Sequence, residues 1–357
     1  MTGKERIARI LRREPVDRIG IHEHFWGDTA KGWKDYLNGE GNLERFWDLD
    51  VCECWPLNLV ADLDAGSVIV AEDENTATYY DGNRATLRKH KFKDGTPEHV
   101  DFFVKDRENW EAWAKPLLLA GALDRRINYA AYEQSRQIAN EDGRYFVLSG
   151  VNVFELMTYL CGHENLLAGM ALDPEWVADM VDVYSRMIVE AQTRLIEKSG
   201  LPDGIWFYDD LGYKEHPFLS PGMYDELVLP GHKRTMDFAH ALGLPVILHS
   251  CGFVEPLVPG FIEAGVDCLQ VIEIKAGMDL LKLQRLYGDK LCFMGGIDAR
   301  VICSNDKALI DAELEAKIPV MKQGGNFIIH SDHSVPPTVK PEIFRYYLER
   351  AAALGKY

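Results

Sequence analysis

The stretch LPVILHSCGFVEP, Leu244 to Pro256, is continuously apolar until it meets a histidine and a cysteine two residues apart. A strand that is apolar on both faces belongs where both faces are covered, as in a parallel sheet wrapped by helices. A second run of this kind, NFIIH at Asn326–His330, also ends in histidine. Working outward, short apolar runs recur at Arg18–His22, Asp50–Cys54, Tyr145–Ser149, Gly204–Tyr208, Pro245–His249, Cys268–Glu273, Lys290–Met294 and Asn326–His330. Longer segments with helical spacing separate them. One opens on Asp173 as N-cap with Pro174 as first residue, and closes at Gly200. Its Val177, Met180, Val181, Tyr184, Met187, Ile188, Ala191 and Leu195 recur at the spacing of one buried face. A second starts at Ser220-Pro221, is disturbed at Pro230-Gly231 and runs toward Gly243. Further helices fit Glu255–Ala264, Leu280–Tyr287, Asp306–Gln323 and Lys340–Gly355. Eight strands alternating with helices predict an α/β fold, a (β/α)8 TIM barrel forming a single domain over residues 1–357. The exception is 66–104, where apolar and polar residues alternate around Asp81-Gly82. That pattern predicts an antiparallel β-hairpin insertion after the second barrel strand. No glycine-rich dinucleotide or Walker loop follows any strand, which disfavours a doubly wound sheet.

Composition narrows the function classes. Of 357 residues 47% are hydrophobic and 27% charged, an ordinary globular balance. The formal charge of −17 repels phosphate backbones and anionic lipid, so neither nucleic acid nor a membrane surface is an expected partner. The opening MTGKERIARILRREP lacks the apolar core of a signal peptide, and no run approaches the ~20 apolar residues that cross a bilayer. Seven cysteines without a secretion signal fit free thiols or metal ligands, and a reducing, cytoplasmic setting.

In a barrel of this type the chemistry sits at the carboxyl ends of the strands. Those ends carry His22, Glu23 and His24; Glu53 and Cys54; Asn152; Asp209 and Asp210; His249 and Cys251; Glu273; Asp298; and His330, Asp332 and His333. Residues i and i+2 of a strand share a side, so His249 and Cys251 present imidazole and thiol together. That pair suits Zn²⁺, which takes three protein ligands in a catalytic site. His333 is the expected third ligand, with His330, Asp332, Glu273, Cys54 and Cys303 as rivals. Adjacent Asp209 and Asp210 point oppositely, so one faces the centre and the other caps a loop. Asp210 and Glu273 are candidate acids or bases. Asn152, Tyr159 and Trp26 are candidate substrate-binding residues; His22 and His24 are assigned to substrate lining as well, with metal ligation or pairing with buried carboxylates as alternatives, and Trp55, Trp206 and Phe207 are compatible with a flat aromatic ligand.

These segments resemble the uroporphyrinogen decarboxylase superfamily. GKERIARILRREPVDRIGI is similar to its amino-terminal signature, and LSGVNVFELMTYLCG to its third-strand loop. ILHSCG, AGVDCLQVIE, LCFMGGID and SDHSVPP follow in the family's order. The resemblance implies a (β/α)8 barrel and one of two chemistries. Decarboxylases of a polycarboxylate tetrapyrrole use amino-terminal arginines, whereas the region here is HEHFWGDT. The corrinoid-dependent methyltransferase branch keeps H-x-C plus a third ligand, usually a cysteine, and binds zinc. His249 and Cys251 match its first two ligands, and His333 stands near the third. With fewer thiolates the zinc is a stronger Lewis acid for an oxygen leaving group. The resemblance thus implies O-demethylation: a methyl group moves from a methoxyaromatic substrate to the corrinoid (cobalamin) of a partner protein. Alternatives are methyl transfer to a thiol or folate, a decarboxylase, and a non-catalytic barrel scaffold. A homodimer is left open.

Overall fold

The computed structural model describes residues 1–93, 95–121 and 123–357. The barrel strands are β1 (Gly20–Ile21), β2 (Val51–Cys54), β7 (Tyr145–Val151), β8 (Gly204–Tyr208), β9 (Val246–Ser250), β10 (Cys268–Val271), β11 (Cys292–Gly295) and β12 (Phe327–Ile329). All pair in parallel in the order β1-β12-β11-β10-β9-β8-β7-β2. This is the expected (β/α)8 barrel. The seam between β1 and β2 is closed by a side chain as well as backbone. Asp50 N–H donates to Ile21 O at 2.9 Å, and the Asp50 carboxylate accepts Ile21 N–H at 2.8 Å. Arg6 and Arg18 clamp that carboxylate at 2.6 and 2.7 Å.

Strand alternation sorts the side chains into two cores. Val51, Val147, Trp206, Ile247, Cys268, Cys292, Met294 and Ile328 point into the barrel and pack there with Ile7, Ile10 and Leu11. The last three belong to the helix Gly3–Leu11, which plugs one end of the barrel and begins with a Thr2–Glu5 capping box. The intervening residues, including Cys52, Cys54, Leu148, Phe207, Leu248 and Phe327, pack outward beneath the helices. Cys54 is therefore aimed away from the barrel centre and drops out as a metal ligand.

The helix Pro174–Ser199 starts and stops where its caps predict: Asp173 accepts Trp176 N–H, and Gly200 takes φ 87°. Before Pro230 the backbone widens into a π-helical turn, Tyr224–Val228, ahead of the helix Leu229–Ala241. A proline has no N–H to continue the ladder, so the disturbance falls where expected. Two long helices, Tyr129–Asp142 and a longer one after β7, had no counterpart in the spacing analysis. Val153–Leu172 is apolar almost all round and is broken at Gly162 (φ 75°), where a Cβ would meet the Phe102 ring at 2.3 Å. The insertion forms a separate antiparallel sheet of four strands, β3 (Val68–Glu72), β4 (Thr76–Tyr80), β5 (Thr86–His90) and β6 (Glu98–Asp101).

Candidate metal centre at the barrel mouth

The alternation that packs the barrel floor also sets the layer above it. Two residues beyond inward-facing Ile247, Trp206, Val51, Val147, Cys268 and Ile328 come His249, Tyr208, Glu53, Ser149, Gln270 and His330. A polar ring is thereby forced onto the carboxyl end of the barrel.

His249 is fixed by its neighbour on β10. Its Nδ1–H donates to Gln270 Oε1, which leaves the Nε2 lone pair free. Nε2 lies 3.2 Å from Cys251 Sγ and 3.4 Å from Asp210 Oδ1. Bonds of about 2.1 Å to nitrogen or oxygen and 2.3 Å to sulfur make tetrahedral edges of about 3.4 Å and 3.6 Å, so the Asp210 spacing matches a zinc-sized ion and the Cys251 sulfur stands slightly closer than such an ion would hold it. Two hydrogen bonds hold the turn that brings Cys251 back. Cys251 N–H donates to Asp210 Oδ1 at 2.7 Å, and Gly252 N–H to Glu273 Oε2 at 2.6 Å. Gly252 has φ 80°, and a Cβ there would stand 2.3 Å from the Gly212 carbonyl carbon. Its lack of a side chain admits the neighbouring backbone rather than clearing space beside an ion.

Charge agrees with geometry. Burial opposes a charge on His249, yet the Cys251 sulfur and the Asp210 carboxylate raise its pKa well above the usual imidazole value. Burial also works against Asp210, but His249 outweighs it and holds the carboxyl below its ordinary range. Burial pushes the Cys251 thiol up. The group favours positive charge at its centre, and a mixed N, S, O donor set is one that zinc accepts. These residues fit the metal that the resemblance implies.

His333, expected as third donor, stands outside the group; its ring packs against Trp26 with centroids 5.5 Å apart. The loop after β12 carries it outward, while His330, in step with Ile328, points in. Asp332 is 1% exposed and accepts Ile274 and Ala299 N–H groups, so it braces the loop. Glu273 braces Gly252 and lies 3.2 Å from Lys275. Asn152, read as substrate-binding, is fully buried. It caps the following helix and donates to Thr235 at 3.1 Å, so it shapes the mouth without lining it. Asp209 and Asp210 divide as their adjacency requires. Asp209 is buried against Glu155 N–H at 2.6 Å and His232 at 2.5 Å, whereas Asp210 faces the centre. Tyr159 donates to Glu155.

Glu155 was not anticipated. Burial and then the Asp210 charge push its carboxyl up to about 7, and its Oε2 has no partner. An acidic residue in the first turn of an apolar helix, just past a strand end, was the available signal. Gln270 was overlooked too, although it is a polar residue at an inward position of an otherwise apolar strand.

A second group, His22, His24 and Glu53, lies beside the first. Glu53 Oε1 meets His24 Nε2 at 2.5 Å and comes within 3.5 Å of His22 Nε2. Burial raises the Glu53 pKa less than His24 and His22 lower it, and the result is well below the ordinary value. Burial pushes His22 down, and His330 well down. Tyr208 joins the groups: its ring stacks on His249 at 4.6 Å, and its hydroxyl reaches Glu53 at 2.9 Å and His24 at 3.2 Å. His24, Trp26, Glu53, Trp55 and Tyr208 line a cavity of about 670 Å³ that opens at the mouth.

A profile of the uroporphyrinogen decarboxylase (URO-D) family matches residues 143–354, more than half of the chain. The chain belongs to the uroporphyrinogen decarboxylase family. No curated protein matches it. Among solved structures, a methyltransferase from Methanosarcina mazei superposes with a TM-score of 0.68 at 15% identity, covering 98% of each chain. A β-glycosidase from the hyperthermophile Thermosphaera aggregans covers 96% of this chain and 97% of its own at 12% identity, with a TM-score of only 0.47. At 15% identity the likeness to the methyltransferase is one of fold. Among the described residues of this family member, no helix is long and apolar enough to cross a membrane.

Proposed function

We propose that the chain is a zinc-dependent methyltransferase that removes the methyl group of a methoxyaromatic ether and passes it to a corrinoid carried by a separate protein. The observation that carries this reading is the convergence of His249 Nε2, Cys251 Sγ and Asp210 Oδ1 within reach of one ion. The Methanosarcina mazei methyltransferase of the same fold supports the reaction class. The cavity lining disfavours the decarboxylase alternative, since it contains Glu44 and Glu53 and no lysine or arginine to receive a polycarboxylate.

His249, Cys251 and Asp210 would hold the metal, with Gln270 orienting the imidazole and Glu273 the cysteine turn; His333 packs against Trp26 away from the metal. Zinc bound there supplies Lewis acidity toward an ether oxygen. The aromatic ring of the substrate would rest among Trp26, Trp55 and Tyr208. The C–O bond breaks with its electron pair remaining on oxygen, and the acceptor provides the pair for the new bond to carbon. Glu155, neutral up to about pH 7, is placed beside Asp210 to give its Oε2 proton to the leaving phenolate.

The test mixes the chain with reduced corrinoid protein and a panel of methoxyaromatics, methanol and methylamines, following the methyl-cobalt absorbance. Methylation from a methoxyaromatic is expected. No methylation from any donor would sink this reading, and transfer from methyl-corrinoid to a thiol would reverse its direction. Cys251→Ala is expected to lose turnover together with the zinc held at His249; a zinc content per chain equal to that of the wild type, measured by elemental analysis, puts the metal elsewhere.

A further inference from the structure

We propose that His22, His24 and Glu53 form a second metal site, built without sulfur, that takes a divalent cation of the zinc class. Hydrogen bonding alone accounts for part of this cluster and not the rest. His24 has Glu53 as a partner, at 2.5 Å. His22 is fully buried and has no hydrogen-bond partner on either ring nitrogen. A neutral imidazole carries a donor on one nitrogen and a lone pair on the other, and leaving both unmet in the interior is costly. Such an orphan calls for an unseen ion or water.

The surroundings prepare the cluster for an ion. Ser149 Oγ and Tyr208 OH donate to Glu53 Oε2 at 2.8 and 2.9 Å, which occupies that oxygen and leaves Oε1 for the histidines. Glu53 Oε1 and His22 Nε2 are 3.5 Å apart, close to the tetrahedral edge of about 3.4 Å expected for two light ligands on zinc. A fourth donor stands beside them. His330 is 1% exposed and gives its Nδ1–H to the Ser331 carbonyl; its Nε2 lone pair is unpartnered, with its ring centroid 4.7 Å from that of His24. Outer partners that fix tautomer and carboxylate rotation in this way are the usual support of a metal site. Imidazole with carboxylate suits zinc, cobalt(II) or iron(II). The ion would also bring positive charge to a cavity whose lining has neither lysine nor arginine.

Cobalt(II) titrated into untagged, chelator-stripped protein separates the two sites, because only a sulfur ligand yields a thiolate-to-cobalt charge-transfer band. Two ions per chain are expected, one with the band and one without. Cys251→Ser should abolish the band and keep the second ion. His22→Gln and Glu53→Gln should keep the band and lose the second ion. A single, sulfur-bound ion in the wild-type chain overturns the proposal whatever the variants do. So does a sulfur-free ion that survives both substitutions. A sulfur-free ion alone, lost in both variants, upholds it while removing the metal from His249 and Cys251.

Discussion

At the scale of single residues, Gln270 shows how much of the site rests on groups that would not touch an ion. Its Oε1 takes the Nδ1–H of His249, and its own Nε2 is buried without a partner. Gln270→Leu removes the acceptor together with that orphaned amide, so the fold should lose little. His249 would then be free to turn, or to place its proton on Nε2. Zinc affinity is expected to fall by about 10–100-fold, the usual penalty for deleting such a partner. Competition against a chromophoric chelator measures it, and circular dichroism checks the fold. Unchanged affinity would mean that His249 is held by something else.

At the scale of elements, strand alternation decides most of what can be read in advance. Parallel strands buried on both faces write themselves as unbroken apolar runs, and the observed strands fall inside or within two residues of those runs. Once Ile247 is known to face in, His249 must as well. The same step places Glu53, Tyr208, His330 and Gln270 in one ring. What alternation cannot supply is the path of the chain after the strand ends. Asp210 and His333 both lie beyond their strands, where the loop backbone turns Asp210 toward His249 and carries His333 outward against Trp26. The helix Val153–Leu172 escaped because its apolar residues surround it, leaving no period to detect. The amino-terminal helix was legible only through the resemblance of GKERIARILRREPVDRIGI, since its role comes from packing across the barrel end. Ile7 is fully buried there, against β1 and the interior core. Ile7→Ala opens a cavity that rigid strands cannot collapse, and should destabilise the chain by about 2–5 kcal/mol. Urea unfolding measures the loss. A cost under about 1 kcal/mol would show that the plug is not part of the cooperative core.

At the scale of the whole molecule, the barrel closes through β1, which is only two residues long. Its pairing with β12 is extended by a side chain. Glu23 accepts the Ser331 N–H at 2.9 Å, the Ser331 hydroxyl at 2.6 Å and the Tyr347 hydroxyl at 2.6 Å, tying the first strand to the last loop and the final helix. Burial raises the Glu23 carboxyl to about 7, against the opposing pull of Ser331 and Tyr347. Its ordinary value is near 4.5. Between about pH 4.5 and 7 the folded chain therefore keeps a proton that the unfolded chain has released. Stability from this group is full below 4.5 and declines as pH rises through 7, with a slope of at most one proton, about 1.4 kcal/mol per unit. Glu23→Gln cannot ionise and should lack that slope. Other buried carboxyls titrate in both proteins, so the difference between their unfolding free energies isolates Glu23. Urea midpoints at half-unit steps from pH 4.5 to 7.5 supply that difference. Parallel curves would show that Glu23 is already ionised in the folded barrel, and that its three donors outweigh its burial.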